Sequence, residues 1–473
     1  MRNVVMIYCD ELRCDALSCY GNPYGIQTPN IDALANEGVL FEQCYCASPV
    51  CVPSRYAMLT SRAPTHTGVL HNEAAMPCFH LDHDYLTFPQ VMAKAGYHTA
   101  SFGKTHIPQT KKPVFEVNDG RGGEMNLGIK IKEEAKNIMK LPGQFQSILA
   151  ADYPADKPYT PELVTKHGLE WIMKQEGPFF VRFSYLQPHT PIVVPHQYVE
   201  KLDGIAFDEK IELYETSEFE KRFSQICDIQ SMKLKDAAMM RKYYYALVLW
   251  IDEQVGKIVQ TLKEHSLYDD TIILFTADHG ACRGENGMLA KQTFQKACHQ
   301  IPMIIKADRL SPQRRSDVCT NLDTGPTLLG LCGLAIPSEF EGLDLLKKKH
   351  EEVYAAVGYG KSSSRAFPNK NQGCWSSHEG WPQRVCIRTD RYRLDMNTQI
   401  NGQWVSAEQE DVYFTDSQVD PKEMKNLVSM PQYRLTISEL YDKLKAYSQD
   451  QKQVCETQVQ LEMERINAYL KAK

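Results

Sequence analysis

Long hydrophobic runs are missing from this chain of 473 residues. The longest apolar stretch, Tyr243 to Ile251, is about half of what spans a bilayer, so no membrane-crossing helix is expected. Long basic runs are missing too. Lys and Arg total 53 against 59 Asp and Glu, a formal charge of −6, which excludes the electrostatic footprint of a nucleic-acid binder. An anionic substrate must then be met by a few local cations rather than by a global field. Internal repeats and low-complexity linkers are absent. The opening residues, Met1 to Asp10, lack the charged, apolar and small-residue sections of a signal peptide. The 15 cysteines show no framework spacing, which suits reduced thiols rather than a disulfide scaffold. A cytoplasmic protein is expected.

What is present reads as a soluble globular chain, 43% hydrophobic and 24% charged, long enough for a large domain with a smaller one appended. Apolar runs of strand length recur at Val4–Cys9, Thr99–Phe102, Phe179–Leu186, Thr271–Ala277, Met303–Lys306 and Val353–Val357. Helical periods lie between them. One runs from Thr28-Pro29 to Gly38, with a cap candidate, a first-turn proline and a terminal glycine. Others are Leu86–Ala95, Thr160–Lys174 and Ala237–His265. This alternation predicts an α/β fold, a large mixed and mostly parallel sheet covered by helices on both faces. Residues 1–360 form the expected catalytic domain. Residues 361–473 read as a smaller α+β subdomain, with short strands around Arg384–Leu394, Gln403–Val405 and Asp411–Thr415, then helices at Gln432–Tyr447 and Gln453–Leu470. The Ser-, Gly- and Asn-rich stretch Lys361–Trp381 reads as a surface loop, and loops of that length tend to be functional.

In such sheets ligands gather beyond the carboxyl ends of strands. Polar clusters follow the strands there: Asp10-Glu11, Gly103-Lys104-Thr105-His106, Gln187-Pro188-His189-Thr190-Pro191 and Asp278-His279-Gly280. Each alone is an ordinary solvated turn or structural histidine, and their shared position is the signal. Asp10, Glu11, Asp278 and His279 can converge on one divalent cation. Three carboxylates favour a hard ion, Ca²⁺ or Mg²⁺, over zinc; the bland alternative is two unrelated helix caps. His80, Asp82, His83 and Asp84 precede a helix rather than end a strand and read as surface loop. His66 and Arg62 suit a supporting role behind the site, and the Tyr243–Ile251 stripe reads as core.

The segment Cys51-Val52-Pro53-Ser54-Arg55, followed by Leu59-Thr60-Ser61-Arg62, decides between readings. Here the chain resembles the type I sulfatases of the alkaline phosphatase superfamily, whose signature is Cys-x-Pro-Ser-Arg with a following Leu-Thr-Gly-Arg. The likeness extends along nearly the whole chain. It includes the Thr28-to-Ala35 helix, the Gly-Lys-x-His turn, Pro-His-x-Pro, Asp-His-Gly with Lys291 downstream, and the late Asp420-Pro421-x-Glu423-x-x-Asn426-Leu427. Two positions depart from the pattern. Glu11 stands where the family commonly has a second Asp, and Ser61 where the maturation signal usually has Gly.

The resemblance implies an alkaline phosphatase-like fold and hydrolysis of an organic sulfate ester. It implies that Cys51 is oxidised to formylglycine by a formylglycine-generating or radical maturation enzyme. The aldehyde hydrate is then the nucleophile. Asp10, Glu11, Cys51 as the diol, Asp278 and His279 are the implied ligands of one cation, Ca²⁺ or Mg²⁺. Arg55 and Lys104 are implied to hold the diol oxygens, and Lys291 to meet a sulfate oxygen. His106 is the candidate base for the second hydroxyl and His189 the candidate acid for the departing alcohol, roles that sequence alone leaves interchangeable. Two rivals stand beside this reading: a phosphonate or phosphate ester hydrolase of the same superfamily, and a silent sulfatase fold that only binds. Lys104 and His106 favour sulfate over the first, and the full set of Arg55, Lys104, His106, His189 and Lys291 opposes the second. Trp375, Ser376, His378 and Trp381 in the long loop suit a sugar ring slightly better than an aryl group. The sulfated alcohol and the oligomeric state are not written in the sequence.

Overall fold

The computed structural model describes residues 1–77, 79–81, 83–140, 150–207, 216–221, 234–284, 288–358, 383–400, 403–450 and 468. Its central sheet has eight strands: β1 (Asn3–Cys9), β2 (Val39–Tyr45), β3 (His98–Gly103), β4 (Val117–Asp119), β5 (Phe179–Tyr185), β6 (Thr271–Ala277), β7 (Gln300–Lys306) and β8 (Gln313–Thr320). They lie in the order β8-β2-β7-β6-β1-β5-β3-β4. Strand β7 runs against both of its neighbours, β6 and β2. Every other pair in the sheet is parallel. The sheet is mixed and mostly parallel, as expected.

Burial explains which segments became its centre. All seven residues of β5 and of β6 are buried, as are six of the seven in β1. Continuous apolar runs of this kind have no solvent face, so they settle where helices cover the sheet on both sides. The helices divide into two packed sets. One comprises α1 (Pro29–Glu37), α4 (Glu162–Ile172) and α5 (Leu234–Glu264); the other comprises α2 (Cys51–Thr60), α3 (Phe88–Lys94) and α6 (Thr324–Leu331). Helix α1 starts on Pro29 and stops at Gly38, where a Cβ would strike the Ile305 carbonyl of β7. No helix among the described residues is long and apolar enough to cross a membrane.

A second, antiparallel sheet contains β9 (Glu352–Val357), β10 (Gln383–Thr389), β11 (Tyr392–Ile400), β12 (Gln403–Trp404) and β13 (Tyr413–Asp416). Helix α7 (Arg434–Asp450) packs on β10 and β11. Val385, Ile387, Leu394, Phe414 and Leu444 form the core between them. The strand expected at Val353–Val357 exists, but it pairs with β10 rather than with the central sheet. The expected helix Gln453–Leu470, the 360/361 boundary and the loop at 361–381 lie outside the described residues, apart from Tyr469's neighbour Ala468.

Candidate active site

The parallel run β6-β1-β5-β3 brings four carboxyl ends to one edge of the sheet. Asp278 and His279 follow β6, Asp10 and Glu11 follow β1, His189 follows β5, and Lys104 and His106 follow β3. Because β7 is antiparallel to both flanking strands, β2 points the same way as β6. Its exit leads to Cys51, the first residue of α2. The loops are sewn together by backbone bonds: Asp10 N to Gln187 O at 3.3 Å, Lys104 N to Ser184 O at 2.8 Å and Asp278 N to Cys9 O at 3.1 Å. Gly280 N donates to Cys298 O at 2.8 Å, and a side chain at 280 would strike the Ala297 carbonyl.

Cys51 is fully buried at the centre. Its sulfur accepts from Lys291 Nζ at 2.8 Å and lies 3.3 Å from His279 Nε2. Asp10 Oδ1 is 3.7 Å away and Asn72 Nδ2 4.0 Å. Burial pushes the thiol up, but Lys104, Lys291, His279 and a hydrogen bond from His106 hold it well below the usual thiol range. The pocket therefore favours negative charge at position 51, to which the amino end of α2 adds. Val52 N, at that end, donates to Asn72 Oδ1 at 3.0 Å.

Arg55, one turn along α2, is also fully buried. It donates to Asp278 Oδ2 at 2.8 Å through Nε and to Asp10 Oδ2 at 3.1 Å through Nη2. Through Nη1 it reaches Ser184 Oγ at 3.0 Å and the Lys104 carbonyl at 3.2 Å. One guanidinium thus ties three strand-end loops to β5. Lys104 Nζ donates to Asp10 Oδ2. Burial and the Cys51 sulfur push Asp10 up, yet Lys104 and Arg55 bring it below the ordinary value. Burial and the charge of Asp10 raise Asp278. Burial would lower His279, but Asp278 and Cys51 raise it to about 9.

Asp10, Cys51, Asp278 and His279 each offer a ligand atom, all within 4.8 Å of one another. His279 Nδ1 faces the Gly280 carbonyl at 2.7 Å, which makes Nδ1 the N–H bearer and leaves the Nε2 lone pair for a ligand. With O and N donors at the ~2.4 Å typical of Ca²⁺, ligand atoms so spaced fit around one ion. The negative cluster that raises His279 is one that a cation would relieve.

Glu11 falls outside that group. It shares a second one with Asp10 and His189. Its backbone is left-handed, φ 61°, and its carboxylate pairs with Arg283 at 2.9 Å, Lys291 at 2.9 Å and His189 at 3.2 Å. Burial pushes the carboxyl up, but the charges of His189, Lys291 and Arg283 hold it well below the usual carboxylate range. His189 Nε2 is 3.2 Å from Lys291 Nζ, and its Nδ1 faces the Thr190 carbonyl. His106 has a left-handed backbone, φ 46°. Its Nδ1 is buried without a hydrogen-bond partner, and burial with the charge of Lys104 lowers its basicity. Both histidines are partly exposed.

Two family patterns match the chain: the one described as "Sulfatase" over residues 2–334, and the one described as "N-sulphoglucosamine sulphohydrolase, C-terminal" over residues 284–450. The chain belongs to the sulfatase family. It is a sulfuric ester hydrolase by class. An arylsulfatase of Clostridium perfringens is 25% identical over 93% of this chain and 92% of its own length. A structure described as BT4656 with its substrate D-glucosamine-2-N,6-O-disulfate superimposes with a TM-score of 0.73, at 20% identity over 95% of this chain and 98% of that one. The phosphonate monoester hydrolase of Silicibacter pomeroyi gives 0.75, at 20% identity over 96% and 97%. These likenesses carry the alkaline phosphatase fold.

Asp10, Glu11, Cys51, Arg55, Lys104, His106, His189, Asp278, His279 and Lys291 thus stand in one cluster of this sulfatase, whereas Trp375, Ser376, His378 and Trp381 lie outside the described residues. Reading the sequence missed Asn72, Ser184, Arg283 and Tyr244. Asn72 and Ser184 had no local signal, since nothing in their surroundings announces contact with Cys51 or Arg55. Arg283 follows Asp278-His279-Gly280 closely enough to have been flagged. Tyr244 lay inside a stripe read as core, and it is buried, but its hydroxyl also donates to the Glu11 carbonyl at 2.8 Å. Of the bystanders, His66 and Arg62 pair with Glu341 at 2.9 and 3.6 Å. Asp84 accepts from Lys111 N at 3.2 Å, and Asp82 lies outside the described residues.

Proposed function

We propose that this sulfatase removes sulfate from a carbohydrate sulfate ester through a formylglycine at position 51 and one divalent cation. The observation that carries the reading is the set of groups around the Cys51 sulfur, which stands where the diol oxygens of the modified residue would be. Lys104 and Lys291 surround it with positive charge, Arg55 adds its own, and His279 and His106 flank it. In the proposed cycle one diol hydroxyl gives up its proton to solvent and attacks sulfur, the bond from sulfur to the alcohol oxygen breaks, and Lys291 meets the charge gathering on the sulfate oxygens. His189 gives a proton to the departing alcohol. His106 then takes the proton of the second hydroxyl, the carbon–oxygen bond to sulfate breaks, the aldehyde is restored, and a water adds to it to give back the diol. The second hydroxyl is the chemical reason for the modification, since a serine would remain sulfated.

Asp10, Asp278 and His279 with position 51 would hold the cation, and Glu11 adjoins them through a second group that shares Asp10. Such an ion, Ca²⁺ or Mg²⁺, lowers the pKa of the diol and polarises the sulfate. Support for a sugar substrate comes from the glucosamine disulfate bound by the structural relative. The experiment is a desulfation screen of matured protein against defined sugar and aryl sulfates. Turnover of sugar sulfates is expected, and turnover of aryl sulfates alone would overturn the substrate assignment. The likeness to a phosphonate monoester hydrolase supports a second reading, which the same screen tests with a phosphonate monoester. A larger kcat/KM on the phosphonate would reverse the order.

A further inference from the structure

Arg283 and Lys291 belong to one hairpin. Cys282–Arg283 pairs antiparallel with Leu289–Ala290, Arg283 opposite Leu289, and Lys291 is the next residue along. The two cations grip the two oxygens of a single carboxylate. Arg283 Nη2 donates to Glu11 Oε2 at 2.9 Å, and Lys291 Nζ lies 2.9 Å from Oε1. His189 Nε2 meets the same Oε1 at 3.2 Å. Arg283 is fixed in turn. Its guanidinium lies 4.8 Å from the centre of the Tyr244 ring, and its Nη1 donates to the Cys282 carbonyl at 3.1 Å. The Tyr244 hydroxyl donates to the Glu11 carbonyl at 2.8 Å and accepts from Arg13 N at 2.8 Å. One tyrosine therefore supports the arginine with its ring and the left-handed Glu11 backbone with its hydroxyl. Arg283, Glu11 and Tyr244 are all buried.

We infer that Arg283, backed by Tyr244, is the positioning residue for Glu11. By taking Oε2 it turns Oε1 toward Lys291, His189 and the proposed cation. The longer arm makes such a hold necessary. Glutamate has one more rotatable bond than aspartate, and an arm left to turn would lose its aim at the ion. A planar guanidinium stacked on a ring suits this task, because its donors point in fixed directions, whereas an ammonium is a compact charge without them. Arg283 reaches the site by pairing with Glu11, so it acts through that carboxylate. Partners behind a ligand typically change metal affinity about 10–100-fold when removed.

This inference rests on the cation reading above, and the test separates the two. Ca²⁺ binding to metal-stripped protein is measured by calorimetry, with melting temperature followed on the same samples. Arg283→Gln is expected to weaken Ca²⁺ binding about 10–100-fold, and Arg283→Lys to fall between it and the wild type. Glu11→Asp should weaken binding by itself, because the shorter arm cannot reach Arg283. Adding Arg283→Gln to Glu11→Asp should then cost little more. Wild-type protein that takes up no Ca²⁺ or Mg²⁺ would overturn the cation reading and this inference with it. Wild-type binding that is unchanged in Arg283→Gln and Arg283→Lys, or a full further loss in the double variant, would overturn the inference alone. If Arg283→Gln does not fold, Arg283→Lys decides: affinity equal to wild type refutes a role for the fork, and weaker affinity at an unchanged melting temperature supports it.

Discussion

The Lys291 ammonium donates a 2.8 Å hydrogen bond to the sulfur of Cys51, across 240 positions of sequence. Lys291 also reaches Glu11 Oε1, so the same cation answers both to the Cys51 sulfur and to the carboxylate beside it. Position 51 is built for an anion: the lysine charge is buried and aimed, and it needs no solvent rearrangement when charge appears.

Peptide mass spectrometry tests the nucleophile first. Protein produced with a maturation enzyme should show the Cys51 peptide shifted from thiol to aldehyde or hydrate. Cys51→Ser made in an aerobic host should lose activity on the order of 10³-fold or more, since oxidation of this kind needs a thiol. Active protein carrying only unmodified Cys51 would remove formylglycine from the mechanism.

The cation is tested at Asp278. Asp278→Ala would leave buried Arg55 without one of its two carboxylates, a loss that costs about 3–5 kcal/mol for a buried pair. Asp278→Asn keeps the shape and is the better probe. Chelation of the wild type and Asp278→Asn should each abolish turnover, and Ca²⁺ or Mg²⁺ should restore only the chelated wild type. Full turnover in a sample shown to be free of metal would exclude a catalytic ion.

Part of this was legible before any coordinates. Strands β1, β5 and β6 are mainly apolar, with Arg182 the one charge among them, because both faces are covered, so their ends, and the polar turns beyond them, could be marked. Strand β2 could not. Glu42 and Gln43 interrupt its apolar run, although it delivers Cys51 to the site. Glu11 was placed among the ligands by adjacency to Asp10. Its left-handed backbone and its pairing with Arg283 depend on contacts from a hairpin that no local pattern links to residue 11.

His299 gives a pH test away from the cation site. Its Nδ1 accepts from Arg388 Nε at 3.0 Å, and its Nε2 faces the Cys46 carbonyl at 3.0 Å. Burial, then the charges of Arg388 and Arg393, hold it well below the usual histidine value. The folded protein keeps His299 neutral while the unfolded chain protonates it below about pH 6.5. The unfolded state then binds the extra proton, so stability is intact above that pH and falls as pH drops toward the folded value. The slope is about 1.4 kcal/mol per pH unit for one proton. His299→Gln should flatten the fall of melting temperature below pH 6.5 relative to wild type. Parallel curves for the two proteins would show that His299 is not the group responsible.

The two histidines separate the steps of the proposed reaction. His189, the proposed donor to the departing alcohol, lies against Lys291 and Glu11 at 3.2 Å from each. His106 interacts with position 51 itself, where the diol breaks down. A sugar alcohol is a poor leaving group and needs a proton, whereas nitrophenolate scarcely does. His189→Ala should therefore slow sugar sulfates by about 10²–10⁴-fold and nitrophenyl sulfate far less. His106→Ala should let the first step run and stall the second, leaving sulfate attached to the residue 51 peptide as added mass. Equal losses on both substrates for His189→Ala, with no adduct in His106→Ala, would reverse or merge the two roles.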